Sequence, residues 1–400
     1  MNMKRRNFLH ATLAVGVAAP MIVASRQVRG AAANEKIRIG VVGCGNRGAW
    51  ITKLFNNDGN YEIVSVADYH PSVAQACGQN VGTATQNCFS GLSGYKKVLD
   101  TNIDAIALEA PPYFFPEHVR DCVDSGKHVY MAKPIAVDVW GTQEVKKAAA
   151  KAQKNNKVFL VDFQVPTDPN NQAALTRYRN DEIGKVLSIQ TCYVTNVFPD
   201  PPFQSYEERL RHLNWVNDDV LGGGYHVNAC IHGVEAGLEL AAGDIPVSAQ
   251  GYSVLSRRDP HGDSHDLYSL TFEFEDGRVW THHGVHCATP FHVRAVGHAE
   301  KGLIEIGYTG RSRISLFGGN DDDLGPIDNL YEAGAVRNIA KFAKAIRTND
   351  FTNDTVKIAV DANLVTILGR ETGKSREKTT MAQLLADNQR LELDTTTWTV

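Results

Sequence analysis

This 400-residue chain is poor in several things. Its seven cysteines are an odd number with no regular spacing. That excludes a disulfide framework and a CxxC zinc site, and most of them read as small core residues. Cys77 and Cys88 could pair, which spacing alone does not decide. Beyond the first thirty residues no apolar run reaches the roughly 20 residues a membrane helix needs, so stable membrane insertion is not expected. Basic charge is also short. The first 33 residues hold five of the 41 lysines and arginines and none of the 45 acidic residues, so the remainder carries 36 against 45, a net charge of −9. That excess argues against nucleic acid or an anionic membrane surface as partner.

What is present begins at the N-terminus. Lys4-Arg5-Arg6-Asn7-Phe8-Leu9 precedes an uncharged stretch from His10 to Ser25, broken at Pro20, and Ala31-Ala32-Ala33 offers a small-residue cleavage site. This is the layout of a secretory signal. It resembles the twin-arginine (Tat) signal, with Lys4 and His10 as departures from that pattern. The resemblance implies export of a folded protein to the periplasm or beyond, membrane association if the leader is not cleaved, and the Tat machinery as a partner. Residues 1–33 are therefore set apart from the fold.

Lys36 to Val42 is a short apolar, β-branched run that reads as a buried parallel strand. It ends at Gly43-Cys44-Gly45-Asn46-Arg47-Gly48, after which a helix is expected with Trp50, Leu54 and Phe55 on one face. Gly43 allows a tight turn, Gly45 lets backbone approach a pyrophosphate, and Gly48 allows close helix–strand packing. The helix N-terminus then points free N–H groups at the phosphates. A second strand, Tyr61 to Ala67, ends in Asp68, placed to bind the adenosine ribose hydroxyls. An acid there favours NAD over NADP, with NADP left open by the neighbouring His70. Further strands at 105–108, 128–131 and 158–163 alternate with helices at 117–125 and 140–155. This is an α/β class fold, a doubly wound parallel sheet over residues 34–163. Pro111, Pro112, Lys133 and Pro134 fall at carboxyl ends of its strands, where ligands bind.

Together the glycine loop, Ala110-Pro111-Pro112, Gly126-Lys127-His128-Val129 and Lys133-Pro134 resemble the Gfo/Idh/MocA family of oxidoreductases. Gly222-Gly223-Gly224-Tyr-His-Val-Asn228-Ala-Cys-Ile-His232 is similar to that family's GGGxxxDxGxH stretch, and Asp181 to Val186 to its lead-in to the second sheet. The resemblance implies NAD or NADP bound by Gly43, Cys44, Gly45, Asn46, Arg47, Gly48, Asp68, Pro111, Pro112 and Lys133. It also implies a catalytic set of Lys133, His232 and Asn228 acting on a sugar or cyclitol. Ala132 replaces the usual Glu and Asn228 the usual Asp. Lysine can hold a substrate hydroxyl or alkoxide, and imidazole titrates near working pH, so His232 can exchange its proton. Asn228, four residues earlier, would share a helix face with His232.

From Val186 to Phe317 strands dominate. They read as a large, open, mainly antiparallel sheet over residues 164–330, offering a platform opposite the nicotinamide and a face for oligomerisation. Amphipathic helices at 335–347 and 356–372 belong to a C-terminal segment, 331–400, that packs back on the first domain. His282 and His286 share a strand face about 13 Å apart, too far for one ion, and His283 faces the other way. With His292 they give no metal site by this reading. The expected activity is hydride transfer between a tightly held nicotinamide cofactor and a sugar or cyclitol. The alternatives are an NAD-dependent glycoside hydrolase and a non-catalytic sugar-binding protein.

Overall fold

The computed structural model describes residues 35–211, 215–287 and 289–399. The Tat-type leader expected over residues 1–33 lies outside the described residues. Burial of both sheet faces dictates the first half of the chain. β1 (Ile37–Val42) is buried at all but Arg38, and β4 (Ala105–Leu108) and β6 (Phe159–Asp162) throughout. With β2 (Tyr61–Asp68), β3 (Cys88–Ser90) and β5 (His128–Ala132) they form one parallel sheet in the order β3-β2-β1-β4-β5-β6. This is the doubly wound dinucleotide-binding order, reversing direction between β1 and β4. The three-residue edge strand β3 was not expected. It is too short and too lightly buried to leave a hydrophobic pattern.

The helix Asn46–Asp58 follows β1, but its buried face is Gly48, Ile51, Thr52 and Phe55. Trp50 and Leu54, expected on the same face as Phe55, pack against the same core but are only half-buried at its margin. Trp50 stacks on Tyr331, at 4.7 Å between ring centroids. That contact ties the first helix to the helix Leu330–Thr348, whose Ala335, Ile339, Phe342 and Ala343 join the core of the first sheet.

The second sheet contains β7 (Val186–Thr195), β8 (Ser248–Val254), β9 (Leu267–Glu273), β10 (Val279–His286), β11 (His292–Ala299), β12 (Gly302–Gly307), β13 (Arg311–Leu316), β14 (Asp321–Pro326) and β15 (Thr379–Thr380). Its order is β14-β13-β12-β11-β7-β10-β9-β8-β15, antiparallel except for β7 with β10. Two helices, Ile231–Leu240 and Thr355–Ser375, cover one face. The longer one also packs on β6 and on the helix Val139–Lys154 of the first sheet. The platform expected opposite the nicotinamide is therefore helix-covered. The bare face is the other one, carrying exposed Gln190, Ser269, Thr281 and His283. All seven cysteines are free thiols, so Cys77 and Cys88 are unpaired.

Candidate active site

The carboxyl ends of β1, β2 and β4 open onto one cleft of about 210 Å³. It is lined by Gly43 and Gly45–Gly48 from the first turn, Asp68–His70 from the second and Glu109–Pro111 from the third. Two glycines are required by geometry. Gly43 has φ +90°, and a Cβ on it would stand 2.5 Å from the Ala110 nitrogen. A Cβ on Gly48 would stand 1.8 Å from the Gly43 carbonyl oxygen. The Asp68 carboxylate is fixed by two backbone donors, Cys44 N at 2.8 Å and His70 N at 3.0 Å. Cys44 contributes through that backbone, while its buried thiol donates to the Ala67 carbonyl at 3.4 Å. Pro112 is buried at the start of the turn Pro112–Phe114, outside the cleft lining, which Phe114 joins.

A second group of side chains meets beside this cleft. Arg47 Nη2 lies 2.5 Å from Asp162 at the end of β6, and Nε lies 3.2 Å from Glu109 at the end of β4. Asn338 Nδ2 donates to the other Asp162 oxygen at 2.8 Å. The guanidinium also faces the rings of Trp50 and Tyr331, at 5.6 and 5.2 Å, an arrangement that favours a planar cation. Burial pushes the Glu109 carboxyl up to about 7 against the pull of Arg47.

Lys133 follows β5 and precedes a cis peptide to Pro134. Its Nζ donates to the Asn228 backbone carbonyl at 2.7 Å. Burial, reinforced by the Arg47 charge, brings this amine down to about 7 despite Asp162 and Glu109 nearby. His232 is buried with Nδ1 unpartnered, its ring against Tyr308, Tyr193 and Phe163 at 4.9, 6.2 and 6.4 Å. Burial, with the Lys133 and Arg47 charges, holds the imidazole neutral well below its usual range.

Asn228 and His232 do not share a helix face. A turn at Ala229–Cys230 separates the short helix Gly224–Asn228 from Ile231–Leu240. Asn228 meets Lys133 through its backbone oxygen, and its amide donates to Gly222 O at 3.3 Å. Glu109 and Asp162 were missing from the sequence-derived set. Both stand at carboxyl ends of parallel strands, a position that marks ligand sites in such sheets.

The C-terminal segment was also missed. Thr399 N donates to the Tyr69 hydroxyl at 2.8 Å and Leu92 N to the Thr399 carbonyl at 2.9 Å. Trp398 lies 5.7 Å from Tyr69 and 6.3 Å from Phe114, both lining the cleft. Leu393 N donates to Tyr113 Oη at 3.1 Å, and Leu391 N to Asp138 at 2.7 Å. Residues 389–399 thus run as a strap along the cleft mouth.

A glycine loop at a helix N-terminus, an acid after β2 and a lysine after β5, on this strand order, define a dinucleotide-binding Rossmann protein with a second sheet appended. Residues 37–163 match the oxidoreductase family with an NAD-binding Rossmann fold. Over that segment the chain is similar to the Gfo/Idh/MocA family. It is 26% identical over 247 residues to 2,7-anhydro-N-acetylneuraminate hydratase of Escherichia coli (strain K12), covering 61% of this chain and 60% of that protein. It is 27% identical over 169 residues to glycosyl hydrolase family 109 protein 4 of Phocaeicola vulgatus, covering 41% and 32%. The chain thus spans about 60% or less of the length of these curated relatives. Among solved structures it superposes on levoglucosan dehydrogenase in complex with NADH with a TM-score of 0.71 at 16% identity, covering 87% of this chain and 99% of that one.

Proposed function

We propose that the protein is an exported NAD-dependent oxidoreductase that acts on a hydroxyl or ketone of a sugar or cyclitol and keeps its cofactor bound. The observation that carries this is Lys133: an amine held near neutrality beside the dinucleotide cleft, aimed by the Asn228 carbonyl. The donor set fits NAD. The glycine loop and the N-terminus of Asn46–Asp58 suit a pyrophosphate, and Asp68 suits the adenosine ribose and disfavours a 2′-phosphate. Bound nicotinamide would supply a hydride acceptor or donor. Lys133 would hold the substrate oxygen and, with a pKa of about 7, take or return its proton. Neutral His232 would hydrogen-bond a neighbouring hydroxyl or relay that proton. Asn228 positions Lys133 through its backbone. Arg47, locked to Glu109 and Asp162, sets the field around the amine. Export rests on the twin-arginine leader, and retention on the strap at 389–399. Exposed Leu187, Val279 and Tyr252 on the bare sheet face support pairing with a second copy.

A second reading, transient sugar oxidation that cleaves a glycosidic bond without net redox change, is favoured by the likeness to a glycosyl hydrolase family 109 protein. The test is to purify the full chain without added cofactor, record its absorbance, and offer sugars and chromogenic glycosides. Sugar-dependent reduced-nicotinamide absorbance supports the dehydrogenase, and aglycone release without it supports the second reading. Neither signal, even with NAD added, overturns both.

A further inference from the structure

Behind the segment that carries Asn228 and His232 lies a cluster with no part in the chemistry above. His226, in the short helix Gly224–Asn228, Cys230, in the turn, and His282, on β10, each offer one ligand atom, and these atoms lie within 4.8 Å of one another. Their residues are 0%, 0% and 2% exposed. Nε2 of both histidines is buried with no hydrogen-bond partner, and leaving such an atom unpaired is costly.

The outer nitrogens explain how these atoms come to face inward. His226 Nδ1 lies 2.8 Å from the Thr366 carbonyl. A carbonyl only accepts, so the hydrogen is on Nδ1 and the neutral ring presents a bare Nε2 lone pair. His282 Nδ1 lies 2.8 Å from Thr191 Oγ1, which accepts from Trp280 Nε1 at 2.7 Å; either member of the histidine–threonine pair can donate, and the tautomer with its hydrogen on Nδ1 is the one that leaves Nε2 free to ligate. Imidazoles fixed through one nitrogen by an oxygen partner, with the other nitrogen bare, are arranged as metal ligands commonly are. Cys230 completes the set, and its sulfur has room because residue 284 is glycine. A Cβ there would stand 2.8 Å from Sγ.

We propose that His226, Cys230 and His282 form a buried site for one soft or borderline transition-metal ion, zinc(II) or copper(I). Two imidazoles and a thiolate are the donor set those ions select. Bond lengths of about 2.0–2.3 Å put ligand atoms roughly 3.4–3.8 Å apart, so the cluster contracts by about 1 Å around the ion. On binding, the Cys230 thiol loses its proton to solvent, and the two imidazoles bind in their neutral form. Burial already keeps both imidazoles uncharged. The ion would tie the turn bearing Asn228 and His232 to β10 and, through Thr366, to the helix Thr355–Ser375. Strand spacing alone could not show this, because it compares His282 only with histidines on its own strand.

The test uses the full chain. Metal content is measured by inductively coupled plasma mass spectrometry as isolated and after incubation with zinc chloride or, under reducing anaerobic conditions, copper(I). The expected result is about one equivalent per chain of one of these ions and a rise in melting temperature on loading. Cys230→Ser and His282→Gln should lower the content at least tenfold. Should either variant fold poorly, cobalt(II) loading of the unmodified chain gives an independent readout, since a thiolate ligand produces a sulfur-to-cobalt charge-transfer band. Two results overturn the proposal: uptake below a tenth of an equivalent with neither ion shifting the melting temperature, or a full equivalent retained by folded Cys230→Ser.

Discussion

Lys133 offers a measurement that needs no substrate. Its amine titrates at about 7 because burial and the Arg47 charge both oppose protonation. At pH 7 about half of it is then neutral, against roughly one in 2,500 for a lysine at the ordinary pKa of about 10.4. Trace acetylation of the native chain across roughly pH 5–11 (about two units below the value of about 7 and about four above it, so that ordinary lysines are also covered), read peptide by peptide by mass spectrometry, reports the neutral fraction of each lysine. Lys133 should label with a midpoint near 7. Arg47→Met removes the charge that most lowers this pKa and leaves Glu109 and Asp162 unopposed. The midpoint should therefore rise by about one unit or more, each unit being about 1.4 kcal/mol. The same shift has a stability consequence. A lysine whose folded pKa lies below its unfolded value binds fewer protons folded than unfolded between about pH 7 and 10.4. Its contribution is therefore fully present above the unfolded pKa and is lost as pH falls toward 7. Lys133→Met should remove that dependence and raise stability at neutral pH by up to a few kcal/mol. A native midpoint near 10, or no upward movement in Arg47→Met, would refute the reasoning.

Gly48→Ala puts a methyl 1.8 Å from the Gly43 carbonyl. It should cost about 1–3 kcal/mol of stability and abolish measurable NAD binding by calorimetry, whereas unchanged affinity would deny the loop its role. Asp68→Ala removes a carboxylate held by two backbone donors and should weaken NAD about 10- to 100-fold, at about 1.5–3 kcal/mol for charged hydrogen bonds. It should also narrow the preference over NADP in paired titrations, and an unaltered NAD to NADP ratio counts against Asp68 as the selector.

How far the sequence could be read depended on how local each signal was. The first sheet was legible because its inner strands are short, mostly apolar runs and the glycine loop carries its own spacing. β3, β14 and β15 were not: two or three residues carry no periodicity, and β14 reads Asp-Asp-Asp-Leu-Gly-Pro, without a β-branched or aromatic residue. Lys133 and His232 came from motifs, but their electrostatics did not. Arg47 and Asp162 are 115 positions apart, and only the folded sheet brings them together. The break at Ala229–Cys230 was hidden because Asn228 and His232 keep helical spacing across it.

The strap has a kinetic consequence. Tyr69 and Thr399 close a loop of 330 positions, one of the most remote contacts in the molecule. Loop-closure entropy makes such a contact slow to form. The glycine loop and Asp68 can therefore fold while the mouth of the cleft is still open, and NAD has an interval in which to enter before residues 389–399 dock. The order of folding would then act as a loading schedule, with the docking of the strap as its last step.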